Sequence, residues 1–503
     1  MKHFYTNSYR FFNRLILRMV PFAFIFMADY ASAESVLVKN VHVIDSRAKV
    51  SRLQNVLIVD GDIRTITRKH VEAESYLDGE KGFLIPGLID THVHLSDIPG
   101  FITSEAGDDE IAAEAHLQIP RSYLYFGFTT LLDLAGDAAL SKRWKQFDVA
   151  PEVYFCTALP IPNGYPLAWL PEDHRHHSPL AKNVLWDERQ PNALPLEFTA
   201  KNHAPTTLIE NAKADGASCI KTFYEEGFGP LKNLPVPSEK LMNEVVDVAH
   251  KENLNVFLHG NSSQAHAFGM KTGVDVMAHG IWHAEEKFDQ KILLWAKKIK
   301  SSGLGIQPTL QVVYGEQELF NPDFLDRNDV KAVIPGRLLQ WYKSDAGQWM
   351  HRELSGSVLK DSHKPSPIDQ YRNVQQSFKN VIALAAETTR ALDQANAKLL
   401  FGSDTPSGPF YTQFPGLNGR MEIDRWHELG IGLTKLFMAL TIDNAKLLKK
   451  DAEIGSVTVG KRANLLLLSK NPLLDIAAYD SIDVIFLNGK VIKRESLRAS
   501  QLK

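Results

Sequence analysis

From Ser35 to Ile66 the apolar positions fall in short β-branched runs, Val36–Ile44 and Val56–Val59, and Asp60-Gly61-Asp62 supplies the turn that leads on to Ile63. This spacing predicts antiparallel strands. The same texture returns in Ala463–Leu468 and again in Val484–Ile492, with Gly489 inside the second run. Residues 34–84 and 452–503 are therefore expected to form one small β-sandwich domain built from both termini. Over 85–451 short apolar runs alternate with helical patterns, the signature of βα units and parallel strands. Eight such runs end at His92, Asp133, Cys156, Lys221, His259, His279, Gln307 and Asp404. Eight is the number a closed (β/α)8 barrel requires, so the predicted fold class is α/β, a TIM-type barrel with a small terminal sandwich. Two stretches are too long for ordinary loops, 159–200 and 311–397, the second helical in pattern. Both follow strand ends, which places them over the face where such barrels carry their chemistry.

The first thirty-three residues break this pattern. Lys2, Arg10, Arg14 and Arg18 precede an apolar run, Val20–Met27, and Ala31-Ser32-Ala33 follows. That order reads as a secretory signal peptide cleaved after Ala33. A membrane anchor needs about twenty apolar residues, and Asp29 interrupts this run too early. The chain is thus expected to be exported, periplasmic or secreted, with no stable membrane anchor. Removing 1–33 takes away four basic residues and one acid, which moves the formal charge from −3 to −6. With no basic excess, nucleic acid is not an expected partner. At 503 residues, 44% hydrophobic and 23% charged, the chain has the composition of a globular enzyme large enough for one barrel and an accessory domain. Cys156 and Cys219 are too few for a disulfide framework, and the sequence leaves them free or paired.

The candidate chemistry lies at the strand ends. His92 and His94 are two residues apart, so on a strand both imidazoles leave from one face and can reach one cation. Lys221 sits inside Cys219-Ile-Lys-Thr-Phe223, where an unpaired ammonium would be costly to bury. Taken alone, such a lysine snorkels to solvent at a strand edge. His259 and His279 close the next two apolar runs, and either alone fits a core position. Tyr224 could donate its hydroxyl to a carbonyl oxygen or pack on a loop. His283 reads as a loop residue beside the site and, with Tyr224, a candidate substrate contact, and His174-Arg-His-His177 as a solvated loop whose alternative is to recruit metal or grip a carboxylate.

The decapeptide Pro86-Gly-Leu-Ile-Asp-Thr-His-Val-His-Leu95 resembles the strand-1 metal motif of the amidohydrolase superfamily, in the branch of imidazolonepropionases and prolidase-like peptidases. Phe126–Asp133 is similar to the strand-2 segment, and Gly455–Asn464 resembles the return to the terminal sheet. The likeness runs over nearly the whole chain beyond residue 33. It implies a binuclear metal site: His92 and His94 from strand 1, Lys221 as a carbamate bridging two metals, His259 and His279 on the second metal, and Asp404 as ligand and proton carrier. A carbamate turns the buried amine into an anion with two hard oxygens. The implied cofactors are two divalent ions, zinc first, with manganese or cobalt compatible with the harder bridging ligands. Such a site is mildly cationic and can lower the pKa of bound water toward ~7.

The implied activity is hydrolysis of an amide, peptide, lactam or ester bond in a small-molecule or peptide substrate by metal-bound hydroxide. The rival is a mononuclear deaminase or cyclic-amidine hydrolase using His92, His94 and Asp404 without Lys221. A third reading is an inactive barrel used for binding. Oligomeric state, including a homo-oligomer, is left open. The sequence departs from many relatives after His259, where Gly260 and Asn261 replace a second histidine, and at Asn163-Gly164-Tyr165, where Gly-Gly-His often stands.

Overall fold

The structure, a computed structural model, describes residues 34–102, 108–175, 177–191, 193–195, 197–229, 231–283, 291–358 and 366–502. The proposed signal peptide, 1–33, lies outside the described residues. No described helix is long and apolar enough to cross a membrane.

Strands β1 (Ser35–Ile44), β2 (Val50–Val59), β3 (Asp62–Thr67), β4 (Ser75–Asp78) and β5 (Phe83–Pro86) open the chain. Seven parallel strands follow: β6 (Leu88–Val93), β7 (Phe128–Asp133), β8 (Glu152–Ala158), β9 (Cys219–Phe223), β10 (Asn255–His259), β11 (Val276–Met277) and β12 (Gly305–Ile306). Strands β13 (Leu465–Leu468), β14 (Ile482–Leu487) and β15 (Lys490–Lys493) close it. The two ends meet in one sheet of order β15-β14-β13-β5-β1-β2-β3, with β4 also on β1. Along β1 the register shifts between Val38 and Val41, where Asn40 takes a left-handed φ of 56°. That extra residue lets Val36, Val38, Val41 and Val43 all reach the same core.

The four leucines of β13 are all buried, because the strand separates two cores. Leu465 and Leu467 join the core of the terminal sheet, whereas Leu466 and Leu468 join the main core. A run without alternation is what burial on both faces demands. Close approach of the two bodies also explains Gly127, whose φ is 85° and where a Cβ would meet Leu466 and Ile482 at 2.7 and 2.9 Å.

The parallel sheet runs β6 to β12 in sequence order, as right-handed βα connections give. The helix Glu239–Lys251 shows why the connections fold as they do. Ser238 caps its first turn, and Leu241, Met242, Val245, Val246 and Ala249 are buried on one stripe. Residues 398–405 touch both outer strands. Ile306 N donates to Lys398 O and Leu400 N to Ile306 O at one edge, and His94 N donates to Thr405 O and Asp404 N to His92 O at the other. The described residues of 311–397 are largely helical, with helices at Gln311–Glu318, Asn328–Val333, Gly336–Lys343, Trp349–Val358 and Pro367–Gln394. Among its described residues the stretch 159–200 holds only short turns of helix, gathered on Leu167, Leu170 and Val184.

Cys156 and Cys219 are directly opposite each other on β8 and β9 and form a disulfide. The pairing that spacing could not settle is fixed by the register of two adjacent strands.

Candidate metal centre

The site is assembled from the C-terminal ends of the parallel strands. Asp90, buried on β6, accepts from the amides of His92 and Ser403 and from the Ser403 hydroxyl, tying β6 to the 398–405 segment. Burial, against these bonds, pushes its carboxyl up to about 7. At Gly402 a Cβ would lie 2.7 Å from that of His92, so the segment can approach only as glycine. Asp404 then takes φ 55°, a left-handed conformation uncommon for aspartate. Its Oδ1 stands 3.1 Å from Nε2 of both His92 and His94, and Oδ2 stands 3.9 Å from Nδ1 of His279. Burial alone would raise the Asp404 pKa, but the imidazoles hold it well below the usual carboxylate range.

The second pair is equally close. His259 Nδ1 and His279 Nε2 face each other at 2.9 Å. Burial, reinforced by the neighbouring imidazole, keeps His279 neutral far below its ordinary pKa, and burial brings His92 down to about 3. Neutral imidazoles are what metal ligation needs. Lys221 is 2% exposed, and its Nζ has no hydrogen-bond partner among the described residues. Burial pulls it down to about 7 against the opposing charge of Asp404. His92 Nδ1 is also buried without a hydrogen-bond partner among the described residues. The neutral imidazoles and the Asp404 carboxylate are a donor set that fits divalent metal binding, and the orphaned Lys221 amine lies beside it.

No family model matches the chain. A dihydroorotase of Methanosphaera stadtmanae is 31% identical over 117 residues, 22% of this chain and 24% of that protein. One from Ruminiclostridium cellulolyticum is 39% identical over 66 residues, 13% and 15% of the two chains. The alignments thus span no more than about a quarter of these curated relatives. The fold extends much further. A Xaa-Pro dipeptidase structure with bound methionine has a TM-score of 0.61 at 18% identity, covering 91% of this chain and 100% of that one. The A. niger ochratoxinase structure scores 0.62 at 17% identity, covering 92% and 96%, and a molinate hydrolase 0.60 at 17%, covering 93% and 96%. The chain shares the fold of these solved structures.

On this fold the structure brings together His92, His94, His259, His279 and Asp404, at strand ends or just beyond them, with Lys221 from the middle of β9. Tyr224 goes elsewhere. Its ring packs on Phe268 at 4.8 Å, among the half-buried residues around the main core. His283 is half-buried and near enough to Glu225 for its charge to act there. His174 pairs with Asp173 at the surface, and His176 lies outside the described residues.

Three partners escaped the sequence reading. Glu225 is buried, stands 3.4 Å from His259 Nε2 and accepts from the Gly227 amide. Burial would raise its carboxyl, but His259, Gly227 and His283 together lower it. Thr309 Oγ1 lies 2.9 Å from His279 Nδ1 and fixes that ring from behind. Tyr165 stacks on His259 with centroids 4.4 Å apart. Each comes from a neighbouring strand end or a long loop, so only its position two residues past a strand residue, or beside a motif departure, could have flagged it.

Proposed function

We propose that the chain is an exported, metal-dependent amidohydrolase that cleaves an amide, peptide, lactam or ester bond of a small substrate. The observation that carries this reading is the convergence of five donors: two imidazoles on Asp404 at 3.1 Å and two more facing each other at 2.9 Å, around the buried amine of Lys221. His92, His94 and Asp404 would hold one ion, His259 and His279 the other, and the Lys221 carbamate would bridge them. Two such ions, zinc by first choice or manganese or cobalt, supply an acidified water and polarise the scissile carbonyl. Asp404, fixed by its backbone bond to His92, receives the proton of the attacking water and passes it to the leaving group. Glu225 and Thr309 orient the second pair of histidines.

The wider assignment follows the same reading. Residues 398–405, bonded to β12 and β6, act as the eighth position of a closed (β/α)8 barrel over 85–451. Residues 34–84 and 452–503 act as a composite β-sandwich domain. The buried Cys156–Cys219 disulfide supports an oxidising compartment, in keeping with export after cleavage behind Ala33.

The mononuclear reading has one observation of its own: His92, His94 and Asp404 alone form a set with every ligand atom within 4.8 Å of the others. Metal content separates the two. Metal-loaded protein isolated from its native host should begin at Glu34, bind about two ions per chain and hydrolyse members of a panel of N-acyl amino acids, dipeptides, lactams and lactones. One ion per chain with deaminase activity establishes the rival instead.

A further inference from the structure

Beside the metal centre stands a set of aromatic rings that the hydrolytic machinery does not use. Tyr165 lies face-on against His259, 4.4 Å between centroids and 21° between planes. From Tyr165 the rings continue to Phe223 at 5.8 Å and Phe228 at 6.0 Å, and from Phe228 to Trp169 at 5.1 Å. Two come from the long 159–200 stretch, and the others from the end of β9 and the turn beyond it. All four therefore sit on the strand-end side, at one flank of the second histidine pair.

These rings are not core. None belongs to the main core or to the terminal-sheet core, and the 159–200 stretch has its own centre in Leu167, Leu170 and Val184. Tyr165, Trp169 and Phe223 are half-buried and Phe228 is 39% exposed. A contiguous, partly wet patch of four rings marks a binding surface more often than a packing one. An independent observation points the same way. The indole N–H of Trp169 is buried and has no acceptor among the described residues. A donor in that position is left for a ligand atom.

We infer that Tyr165, Trp169, Phe223 and Phe228 form a specificity subsite for an aryl group carried next to the scissile bond. This inference rests on the hydrolase reading above and names its substrate class. Offset and edge-to-face stacking on Tyr165 and Phe228 would hold the ring, and the Trp169 N–H would donate to an acceptor on it. His259 covers one face of Tyr165, so the aryl group would lie against its edge or outer face, on the acyl or the leaving side of the scissile bond.

The test uses metal-loaded, full mature protein with three ligands, N-acetylglycine, N-benzoylglycine and N-acetylphenylalanine, and a fourth, N-(4-nitrobenzoyl)glycine, for the Trp169 donor. Dissociation constants come from calorimetry and kcat/KM from product release. One of the two aryl compounds should bind and react about tenfold or more better than N-acetylglycine, the scale of one buried aromatic contact. In Phe228→Ala that preference should fall to near one, with unchanged far-UV circular dichroism. Trp169→Phe keeps a ring and removes the donor, so it should abolish any further gain from N-(4-nitrobenzoyl)glycine. Equal binding of all three ligands overturns the inference, as does a Phe228→Ala variant that keeps the preference. Hydrolysis without aryl preference leaves the hydrolase reading standing and the subsite refuted. Aryl preference in binding without hydrolysis of any amide does the reverse.

Discussion

His92, Lys221 and His259 stand where each backbone is bonded to a neighbouring strand end: His92 O accepts from Asp404, Lys221 O from Leu159 and His259 O from Tyr224. Tyr165 and Trp169 stand on turns whose bonds are local, Ala168 N to Gly164 O and Trp169 N to Pro166 O. The first group is held by contacts across the sheet, the second by its own loop. The proposed metal ligands, which must meet within tenths of an ångström, are on the sheet side, and Tyr165 and Trp169 of the proposed subsite are on the adjustable loop. Substitutions on the strand side should therefore abolish chemistry, and those on the loop side should redistribute preference.

The largest effects belong to the strand side. His92→Ala or His94→Ala opens a coordination position, so metal and turnover should be lost together while the circular dichroism of a folded barrel remains. Asp404→Asn keeps the size and removes the charge, and kcat should fall by roughly 10² or more with part of the metal retained. Metal analysis beside steady-state kinetics checks both. Near-normal turnover in Asp404→Asn would mean that another group carries the proton.

Lys221→Ala comes next, because it tests the bridge rather than a terminal ligand. On the proposed binuclear reading, the substitution would leave a gap about the size of a short carboxylic acid between two partly uncovered cations. Metal content should drop from about two per chain toward one, and acetate or propionate should restore part of the second ion and of the activity. Lys221→Arg should resist rescue, since a permanent cation fills the gap with the wrong sign. Full metal content and turnover in Lys221→Ala without added acid removes the bridge and favours the mononuclear site.

The same contrast explains what was legible in the sequence. His92 and His94 could be found because strand geometry puts alternate residues on one face, and that rule needs no tertiary knowledge. The composite terminal sheet was legible because strand runs of one texture stand at both ends and flank the βα alternation between them. Lys221 was singled out by a charge in an apolar run, and its role came only through family resemblance. Glu225 and Thr309 stayed hidden because their partners are 34 and 30 residues away and depend on how neighbouring strands align. The Cys156–Cys219 pair was undecidable for that reason too. Tyr165 had a faint signal, since it closes the Asn163-Gly164-Tyr165 departure from the usual Gly-Gly-His.

Glu225 offers a sharper cut, because it lies between the two groups: it follows β9 directly but touches a ligand only through His259. Glu225→Gln preserves shape and removes the charge that orients the imidazole. Metal affinity should weaken about 10- to 100-fold, the range for partners of metal-bound histidines, with a smaller change in kcat once metal is saturating. A merely structural glutamate would lower the melting temperature without moving the metal titration.

The smallest expected effect concerns Tyr224, which shares β9's end with Glu225 and points to the other layer. Residues alternate along an extended chain, so Lys221, Phe223 and Glu225 share one side and Tyr224 the opposite one. Its ring rests on Phe268, in the helix Ser263–Thr272 that backs β10. Burial, and then the charge of Glu226, pushes the phenol up, so it stays neutral at working pH. Tyr224→Phe keeps the packed ring and deletes only the hydroxyl. Activity should stay within about twofold of the parent and stability within about 0.5 kcal/mol, as for a substitution that breaks no buried contact. If the hydroxyl instead donates to a developing oxyanion, kcat should fall by about 10² with KM little changed, which is the signature of a lost transition-state contact. Measured side by side, Glu225→Gln and Tyr224→Phe thus read the two faces of one strand end, and equal losses in kcat from both would erase the division between them.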